Sequence, residues 1–178
     1  MAEIIGKGTA SMLLTPEILY KSVSHITPAI LAESGITALV LDVDNTLTGD
    51  ESQILDQEVV QWLDTMRKAG VRLMIVSNNK PARVQPFADR VGLAWVPKAR
   101  KPLTTGLQIA QKRLGTPKSQ MAMVGDQIFT DRLAAALFGI RCLMVLPRTK
   151  DVNRAIIIKR FFEKPFMANY YRKGGKVL

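Results

Sequence analysis

The stretch Ala38-Leu39-Val40-Leu41-Asp42-Val43-Asp44-Asn45-Thr46-Leu47-Thr48 combines a short apolar run with a run of mostly polar residues, and it indicates the type of fold. Its four apolar residues predict a buried strand, and the polar residues after them predict where that strand ends. Side chains at positions i and i+2 of a strand lie on one side, about 6–7 Å apart, so Asp42 and Asp44 leave the sheet together. Neighbouring carboxylates repel each other, and a proton or a cation relieves the repulsion. The same residue types also favour an Asx-type turn, so this stretch alone leaves both interpretations open.

Length and composition indicate one globular domain over residues 1–178. The chain has 178 residues, of which 47% are hydrophobic, enough for a sizeable core. Its single cysteine, Cys142, excludes an intramolecular disulfide, and the apolar residues around it favour a buried, unreactive thiol. Glu3 near the amino terminus and the lack of a long apolar run predict neither a signal peptide nor a spanning helix. These features predict a cytoplasmic protein.

Positive charge is concentrated in the carboxy-terminal tail, residues 151–178. The whole chain has a net charge of +10, and the tail alone contains seven Lys or Arg residues against two acidic ones. Such a tail predicts a basic surface that attracts an anionic partner, or else a basic face that contacts only solvent.

Apolar runs alternate with amphipathic segments after Gly35. The runs are Ala38–Leu41, Arg72–Val76, Leu93–Val96, Met121–Val124 and Ile140–Leu146, and the helices between them are Asp56–Ala69, Pro81–Val91, Leu103–Leu114 and Asp131–Phe138. This order predicts an α/β fold: a Rossmann-like, doubly wound parallel sheet of about five strands in three layers. Residues 1–35 are predicted to be a helical lead-in, with helices that begin at Thr15-Pro16 and Thr27-Pro28.

Polar residues follow four of the predicted strands at the point where each strand ends. They are Asp42 and Asp44, then Ser77-Asn78-Asn79, then Lys98-Ala99-Arg100-Lys101-Pro102, and finally Gly125-Asp126-Gln127 with Asp131 beyond it. Each group alone would suit a turn or a helix cap. Open parallel sheets bind their ligands at the carboxyl ends of the strands, so the shared location predicts a functional site.

These groups resemble the four motifs of the haloacid dehalogenase superfamily, in the same order and with similar spacing over residues 36–146. The matching residues are Asp42-Val43-Asp44-Asn45-Thr46, Ser77, Lys101-Pro102, and Gly125-Asp126 followed by Asp131. The 33 residues from Asp44 to Ser77 and the 24 from Ser77 to Lys101 each leave room for one helix, but not for a cap domain. The chain thus resembles the capless subfamily IIIA phosphatases, and among them the YqeG family, relatives of phosphatidylglycerophosphate phosphatases.

The resemblance implies a phosphatase that uses Mg²⁺ and forms an aspartyl-phosphate. Asp42 would be the nucleophile and Asp44 the general acid and base. Mg²⁺ would be bound by the side chains of Asp42 and Asp126 and by the backbone carbonyl of Asp44. Asp131 would lie next to these ligands, in the outer shell of the metal. The residues implied to bind the phosphoryl oxygens are Ser77, Asn78, Thr46 and the catalytic Lys101.

Two positions qualify the resemblance. Lys98 and Arg100 compete with Lys101 for the phosphate-binding role, and the Lys101-Pro102 pairing favours Lys101. Val43 stands where lipid phosphatases of this kind more often have a polar or basic residue, which weakens the link to their substrate.

The substrate is predicted from the open site and the tail. Capless members of the superfamily commonly act on macromolecules or on substrates that cover the site themselves. Apolar and basic residues alternate over residues 154–173. This pattern suits peripheral contact with the inner face of an anionic membrane, or a terminal helix that docks on the sheet.

The leading prediction for the substrate is a phospholipid phosphate such as phosphatidylglycerophosphate. The alternatives are a phosphatase of nucleotides, sugar phosphates or phosphoproteins, and a basic module that binds RNA or the ribosome. The sequence specifies no oligomeric state.

Overall fold

A six-stranded parallel sheet forms the centre of the molecule. The structure, a computed structural model, describes residues 13–178. The sheet has the order β1-β6-β5-β2-β3-β4, and every pair of neighbouring strands is parallel. The strands are β1 (Ile18–Tyr20), β2 (Ala38–Leu41), β3 (Arg72–Val76), β4 (Trp95–Val96), β5 (Met121–Gly125) and β6 (Arg141–Val145). The predicted parallel α/β fold is confirmed, with one strand more than expected.

Six α-helices that lie wholly within residues 13–178 accompany the sheet. They are α1 (Pro28–Glu33), α2 (Gln57–Lys68), α3 (Pro81–Val91), α4 (Thr105–Leu114), α5 (Leu133–Phe138) and α6 (Arg154–Arg172). Alternate residues of β2 point to opposite faces: Leu39 and Leu41 pack in a cluster with α2 and α3, and Ala38 and Val40 pack in a second cluster with α4, α5 and α6. The three predicted layers are therefore present.

The predicted helix start at Thr15-Pro16 is wrong. Residues Ile18–Tyr20 form the edge strand β1, which pairs with β6 through Ile18 opposite Leu143. On its other side β1 bonds to the end of the chain, where the Leu178 amide donates to the Leu19 carbonyl at 2.9 Å. Pairing partners more than a hundred residues away stabilise this strand, and local helix signals do not encode them. Residues 1–12 of the predicted lead-in lie outside the described part of the chain.

The second predicted helix of the lead-in is confirmed as α1. Thr27 is its cap residue, and the Thr27 side chain accepts a hydrogen bond from the Ile30 amide at 3.3 Å.

The segment after β5 differs from the regular helix that the sequence predicts. A π-helical turn, Ile128–Arg132, precedes α5, whereas a regular helix was expected from Asp131. A Cβ atom on Gly125 would lie 2.3 Å from the Cγ of Asp131, so only glycine lets this carboxylate approach the end of β5. The turn thus brings Asp131 beside Asp126.

Helix α6 docks on the sheet with one face. Glu163 and Tyr170 are buried on that face, and Phe166 and Met167 pack against the cluster beneath it. The docking interpretation of the tail is thereby confirmed for this face, while the opposite face of α6 is exposed. Among the described helices, none is both long and apolar enough to span a bilayer.

Two adjacent tyrosines test how much the docking of α6 stabilises the fold. Tyr170 is buried and donates to the Lys176 carbonyl at 2.8 Å, whereas Tyr171 is 46% exposed. We expect Tyr170→Ala to lower the free energy of unfolding by about 3 kcal/mol, and Tyr171→Ala to lower it by about 0.5 kcal/mol or less. Urea denaturation measures both, and equal losses would contradict the docked arrangement.

Candidate active site

The carboxyl ends of three neighbouring strands bring the motif residues together. Strand β2 lies between β3 and β5, and Leu41 is opposite both Ile75 and Val124. The residues that follow these strands therefore leave the sheet at nearly the same level. This register places Asp42 beside Asp126 and within reach of the loop that begins at Ser77.

A cluster of buried carboxylates is the centre of the site. Asp42, Asp126 and Asp131 are all buried, and one oxygen from each lies within 4.8 Å of the others. The Lys101 ammonium is 2.9 Å from Asp42 Oδ1 and 2.7 Å from Asp131 Oδ1, and Arg160 pairs with Asp126 Oδ2. Three carboxylates thus share two cationic side chains, and the cluster has a surplus of negative charge when all its groups are ionised.

Burial sets the protonation of this cluster. It raises the pKa of Asp42 to about 7 even though Lys101 acts in the opposite direction, and it raises the pKa of Asp126 against the effect of Arg160. Burial alone would lower the pKa of Lys101, but Asp131 and Asp42 raise it above its usual value, so this ammonium stays charged. A buried site of this kind favours uptake of a proton or of a metal cation.

The donor set fits a divalent metal. Carboxylate oxygens are the ligands that a hard cation such as Mg²⁺ prefers. Asp126 Oδ1 accepts from the Thr46 hydroxyl at 3.2 Å, and its other oxygen contacts Arg160, so a bound metal has to share or displace one of these donors. Both oxygens of Asp131 also have protein donors, Lys101 and the Gln127 amide, which suits the outer position predicted for Asp131.

Asp44 has a separate set of partners. Its Oδ1 accepts from the Glu51 amide at 3.1 Å, and the side chains of Asn79 and Arg83 also donate to its carboxylate. Arg83, which also donates to the Ser52 carbonyl at 2.6 Å, was not predicted. Its place in the first turn of α3, soon after the Ser77 loop, is the only local signal for this contact.

The loop residues around Lys101 divide into those that reach the site and those that do not. Both amide atoms of Asn78 bond to the Lys101 backbone, at 2.9 and 2.6 Å, so Asn78 positions Lys101. Lys98, the competing lysine, is exposed, and its backbone amide donates to the Asn79 carbonyl at 2.9 Å. Ser77 is buried beside them, and its hydroxyl accepts from the Asn79 amide at 3.2 Å.

A pocket of about 180 Å³ opens over these groups. It is lined by Asp42, Asp44, Asp50, Glu51, Ser77, Asn78, Asn79, Lys101, Gln127, Thr130, Asn153, Ile156 and Lys159. A larger cavity of about 740 Å³ lies near the amino ends of β5 and β6. That cavity contains none of the motif carboxylates and is at the edge of the sheet opposite to where parallel sheets bind ligands, so the smaller pocket is the candidate active site.

Helix α6 contributes contacts that the sequence did not reveal. Arg160 pairs with Asp151 at 3.0 Å and with Glu163 at 3.2 Å, in addition to Asp126. Glu163 Oε1 accepts from the backbone amides of Ile128 and Phe129 at 2.7 and 3.2 Å, which fixes the loop after Asp126. No local pattern predicts the contacts of Arg160 with Asp126 or of Glu163 with the Phe129 amide, because these partners lie 34 residues earlier in the chain.

Comparison with known proteins agrees with this geometry. A family model described as haloacid dehalogenase-like hydrolase matches residues 51–139, which is half of the chain. The chain belongs to this hydrolase family. A second model, described as mitochondrial PGP phosphatase, matches residues 9–89. Within the described residues of this hydrolase, α2 is the helix between Asp44 and Ser77, and no cap domain is inserted there.

Individual relatives of the hydrolase are named as phosphatases. The chain is 29% identical over 159 residues to "Probable phosphatase YqeG" of Bacillus subtilis, covering 89% of this chain and 92% of that protein. It is 23% identical to "Phosphatidylglycerophosphate phosphatase 1, chloroplastic/mitochondrial" of Arabidopsis thaliana, covering 90% of this chain but only 49% of that protein. The cobalt-bound deoxy-D-mannose-octulosonate 8-phosphate phosphatase of Haemophilus influenzae has the same fold, with a TM-score of 0.52, 13% identity and coverage of 75% of this chain and 88% of that one.

The raised pKa of Asp42 predicts how the stability of the metal-free protein depends on pH. The pKa rises from 3.8 to about 7 on folding, so the folded state binds this proton more tightly than the unfolded state does. The resulting stabilisation is present at low pH and is lost as the pH rises through 7. Its upper limit is on the order of 4 kcal/mol. Asp42→Asn removes this titration, so the variant should gain stability relative to the wild type between pH 5 and pH 8.

Urea denaturation in the presence of chelator, at pH 5, 6, 7 and 8, measures the difference. Asp89→Asn, which changes an exposed carboxylate on α3, is the matched control and should follow the wild type. Parallel stability curves for wild type and Asp42→Asn would contradict the proposed titration.

Proposed function

We propose that this hydrolase is a Mg²⁺-dependent phosphomonoesterase that acts through an aspartyl-phosphate on Asp42. The observation that carries the proposal is the buried Asp42 carboxylate, 2.9 Å from the Lys101 ammonium and inside a cluster with surplus negative charge. Similarity to the probable phosphatase YqeG over most of both chains supports phosphoryl transfer as the chemistry.

The residues of the pocket divide the reaction into two steps. In the first, an Asp42 oxygen bonds to phosphorus while the bond to the leaving oxygen breaks, and Asp44 gives a proton to the departing alkoxide. In the second, Asp44 takes a proton from water, the water oxygen attacks phosphorus, and the bond to Asp42 breaks to release phosphate. A covalent intermediate of this kind replaces one high barrier with two lower ones.

Charge in the pocket supports this division of roles. Lys101 stays charged and lies against Asp42, where it can pair with a phosphoryl oxygen in the transition state. Ser77 is proposed to donate to a phosphoryl oxygen from the same edge, and Asn78 to do so in addition to holding Lys101. Thr46 is proposed to donate once a bound metal displaces its hydroxyl from Asp126. Mg²⁺, held by Asp42, Asp126 and the Asp44 carbonyl, would offset the repulsion between the carboxylates and the incoming phosphate.

We further propose a phospholipid phosphate as the substrate. The pocket is open, because no cap domain covers it within the described residues. An apolar crevice of about 390 Å³ lies between α6 and the end of β6, and Asp126 and Arg160 form part of its wall. An apolar recess so close to the phosphoryl site suits the apolar part of a lipid. Similarity to the Arabidopsis phosphatidylglycerophosphate phosphatase supports the same substrate class.

Turnover of two substrates tests the proposal. With Mg²⁺, the protein should hydrolyse an aryl phosphate slowly and phosphatidylglycerophosphate in mixed micelles faster, since only the lipid also contacts the crevice. Chelator should abolish both activities, and Asp42→Asn should reduce both by at least about 10³-fold, because it removes the nucleophile. A phosphate-release assay measures all of these rates.

Two outcomes would contradict parts of this proposal. Undiminished turnover by folded Asp42→Asn protein would exclude Asp42 as the nucleophile. Preference for nucleotides, sugar phosphates or a phosphoprotein over the lipid would exclude the lipid assignment and leave the chemistry intact.

The role of Asp44 can be tested separately through the leaving group. Asp44→Asn loses proton transfer, which typically contributes 10²–10⁴-fold, but retains its backbone carbonyl. A nitrophenol has a low pKa, so its phenolate leaves without protonation. The kcat/KM for a nitrophenyl phosphate, which reports formation of the aspartyl-phosphate, should therefore fall far less than the kcat/KM for an alkyl phosphate. Steady-state measurements of kcat/KM on the two substrates measure the difference, and equal losses of kcat/KM on both would argue against Asp44 as the general acid.

A further inference from the structure

Helix α6 is apolar on two opposite faces, and the fold covers only one of them. The inner face packs on the sheet through residues such as Tyr170. The outer face exposes four large apolar side chains within six residues. The exposed fraction is 50% for Ile157, 59% for Ile158, 63% for Phe161 and 58% for Phe162. A helix that is apolar all round is normally covered all round. The uncovered face therefore indicates a docking surface, which we call the outer face of α6.

Cationic residues surround this apolar cluster. Arg154 and Lys164 are exposed near its members, and the Lys164 ammonium is 5.2 Å from the centre of the Phe161 ring. Glu163 is the only acidic residue of α6, and it is buried on the inner face. The outer face thus combines apolar side chains with positive charge only.

Charge complementarity decides between the occupants of such a face. A second copy of the chain would bring a further net charge of +10 and a second cluster of cations against the first. Like charges across an interface oppose association. An anionic bilayer offers both an apolar interior for Phe and Ile side chains and negative headgroups for Lys and Arg.

The position of the outer face relative to the pocket adds an independent argument. Asn153, Ile156 and Lys159, from the start of α6, line the candidate active site together with Asp42 and Asp44. A partner surface that contacts the first turns of α6 would therefore lie beside the mouth of the pocket. No other described helix contributes both to the pocket wall and to an exposed cluster of this size.

We propose that the outer face of α6 docks on an anionic bilayer. Phe161 and Phe162 insert at the level of the headgroups, and Arg154 and Lys164 contact lipid phosphates. Docking would place the enzyme on the membrane that contains its proposed lipid substrate. The purpose of docking therefore rests on the proposed lipid phosphatase function. Docking itself is measured without turnover, so the two claims fail separately.

Vesicle co-sedimentation with the full chain tests the docking. The protein should bind phosphatidylglycerol-containing vesicles and bind pure phosphatidylcholine vesicles much more weakly. The double variant Phe161→Ser/Phe162→Ser should lower the apparent partition coefficient by about tenfold or more, because two exposed rings no longer insert. The matched control, Ile54→Ser/Leu137→Ser, removes two side chains that are 72 and 56% exposed elsewhere, and it should bind like the wild type.

A second pair of variants tests the electrostatic contribution. Lys164→Gln should weaken binding to anionic vesicles by up to about fivefold, and Lys112→Gln, on the exposed side of α4, should leave it unchanged. Moderate salt should reduce the binding in part, since the inserted rings do not respond to ionic strength.

The inference would be overturned by the absence of binding to anionic vesicles, by binding that survives Phe161→Ser/Phe162→Ser, or by RNA that binds at this face in place of vesicles. Light scattering would also detect a dimer, if one forms, that the same double substitution dissociates. That result would assign the face to self-association and would also overturn the inference.

Melting temperatures of the variants should match the wild type, because the changed side chains are exposed. Asp42→Asn should bind vesicles normally, and Phe161→Ser/Phe162→Ser should still hydrolyse an aryl phosphate, which separates failure of docking from failure of the catalytic proposal.

Discussion

Repulsion between aspartates at a buried sheet edge is the constraint on which the rest of the site depends. Asp42, Asp126 and Asp131 lie too close together to be charged without partners. The partners come from separate parts of the chain: Lys101 from the loop after β4 and Arg160 from α6. Because these cations do not fully balance the carboxylates, the cluster suits a divalent metal cation.

The carboxy-terminal helix has a larger part in the molecule than its position at the end of the chain indicates. Its inner face connects the hydrophobic core to the loop after β5, since Tyr170 is buried and Glu163 accepts hydrogen bonds from the amides that follow Asp126. Its first turns form one wall of the pocket. Removal of this segment would therefore disturb both stability and the site, so single substitutions on each face separate its roles better than truncation does.

The sequence predicts the elements that depend on local periodicity, but not the elements and contacts that depend on pairing with distant residues. The apolar run Ala38–Leu41 and the aspartates after it could be placed, because buried strands and their ends have a local pattern. Strand β1 was predicted as helix, because its partners are β6 and the chain terminus. Arg83 and Arg160 were missed for the same reason: a basic residue on a helix gives no sign of which carboxylate it will meet after folding.

Phosphorylation of Asp42 during turnover can be detected by trapping the intermediate. Protein mixed with Mg²⁺ and an aryl phosphate is quenched in acid, digested and analysed by mass spectrometry. Asp44→Asn protein is included because the second step, attack of water, should be slowed more than the first. We expect a phosphoryl group on the peptide that contains Asp42, and we expect it to be absent after chelation and in Asp42→Asn. A phosphoryl group on a different residue, or rapid turnover with no phosphorylated Asp42 at any quench time, would contradict the proposed phosphorylation of Asp42.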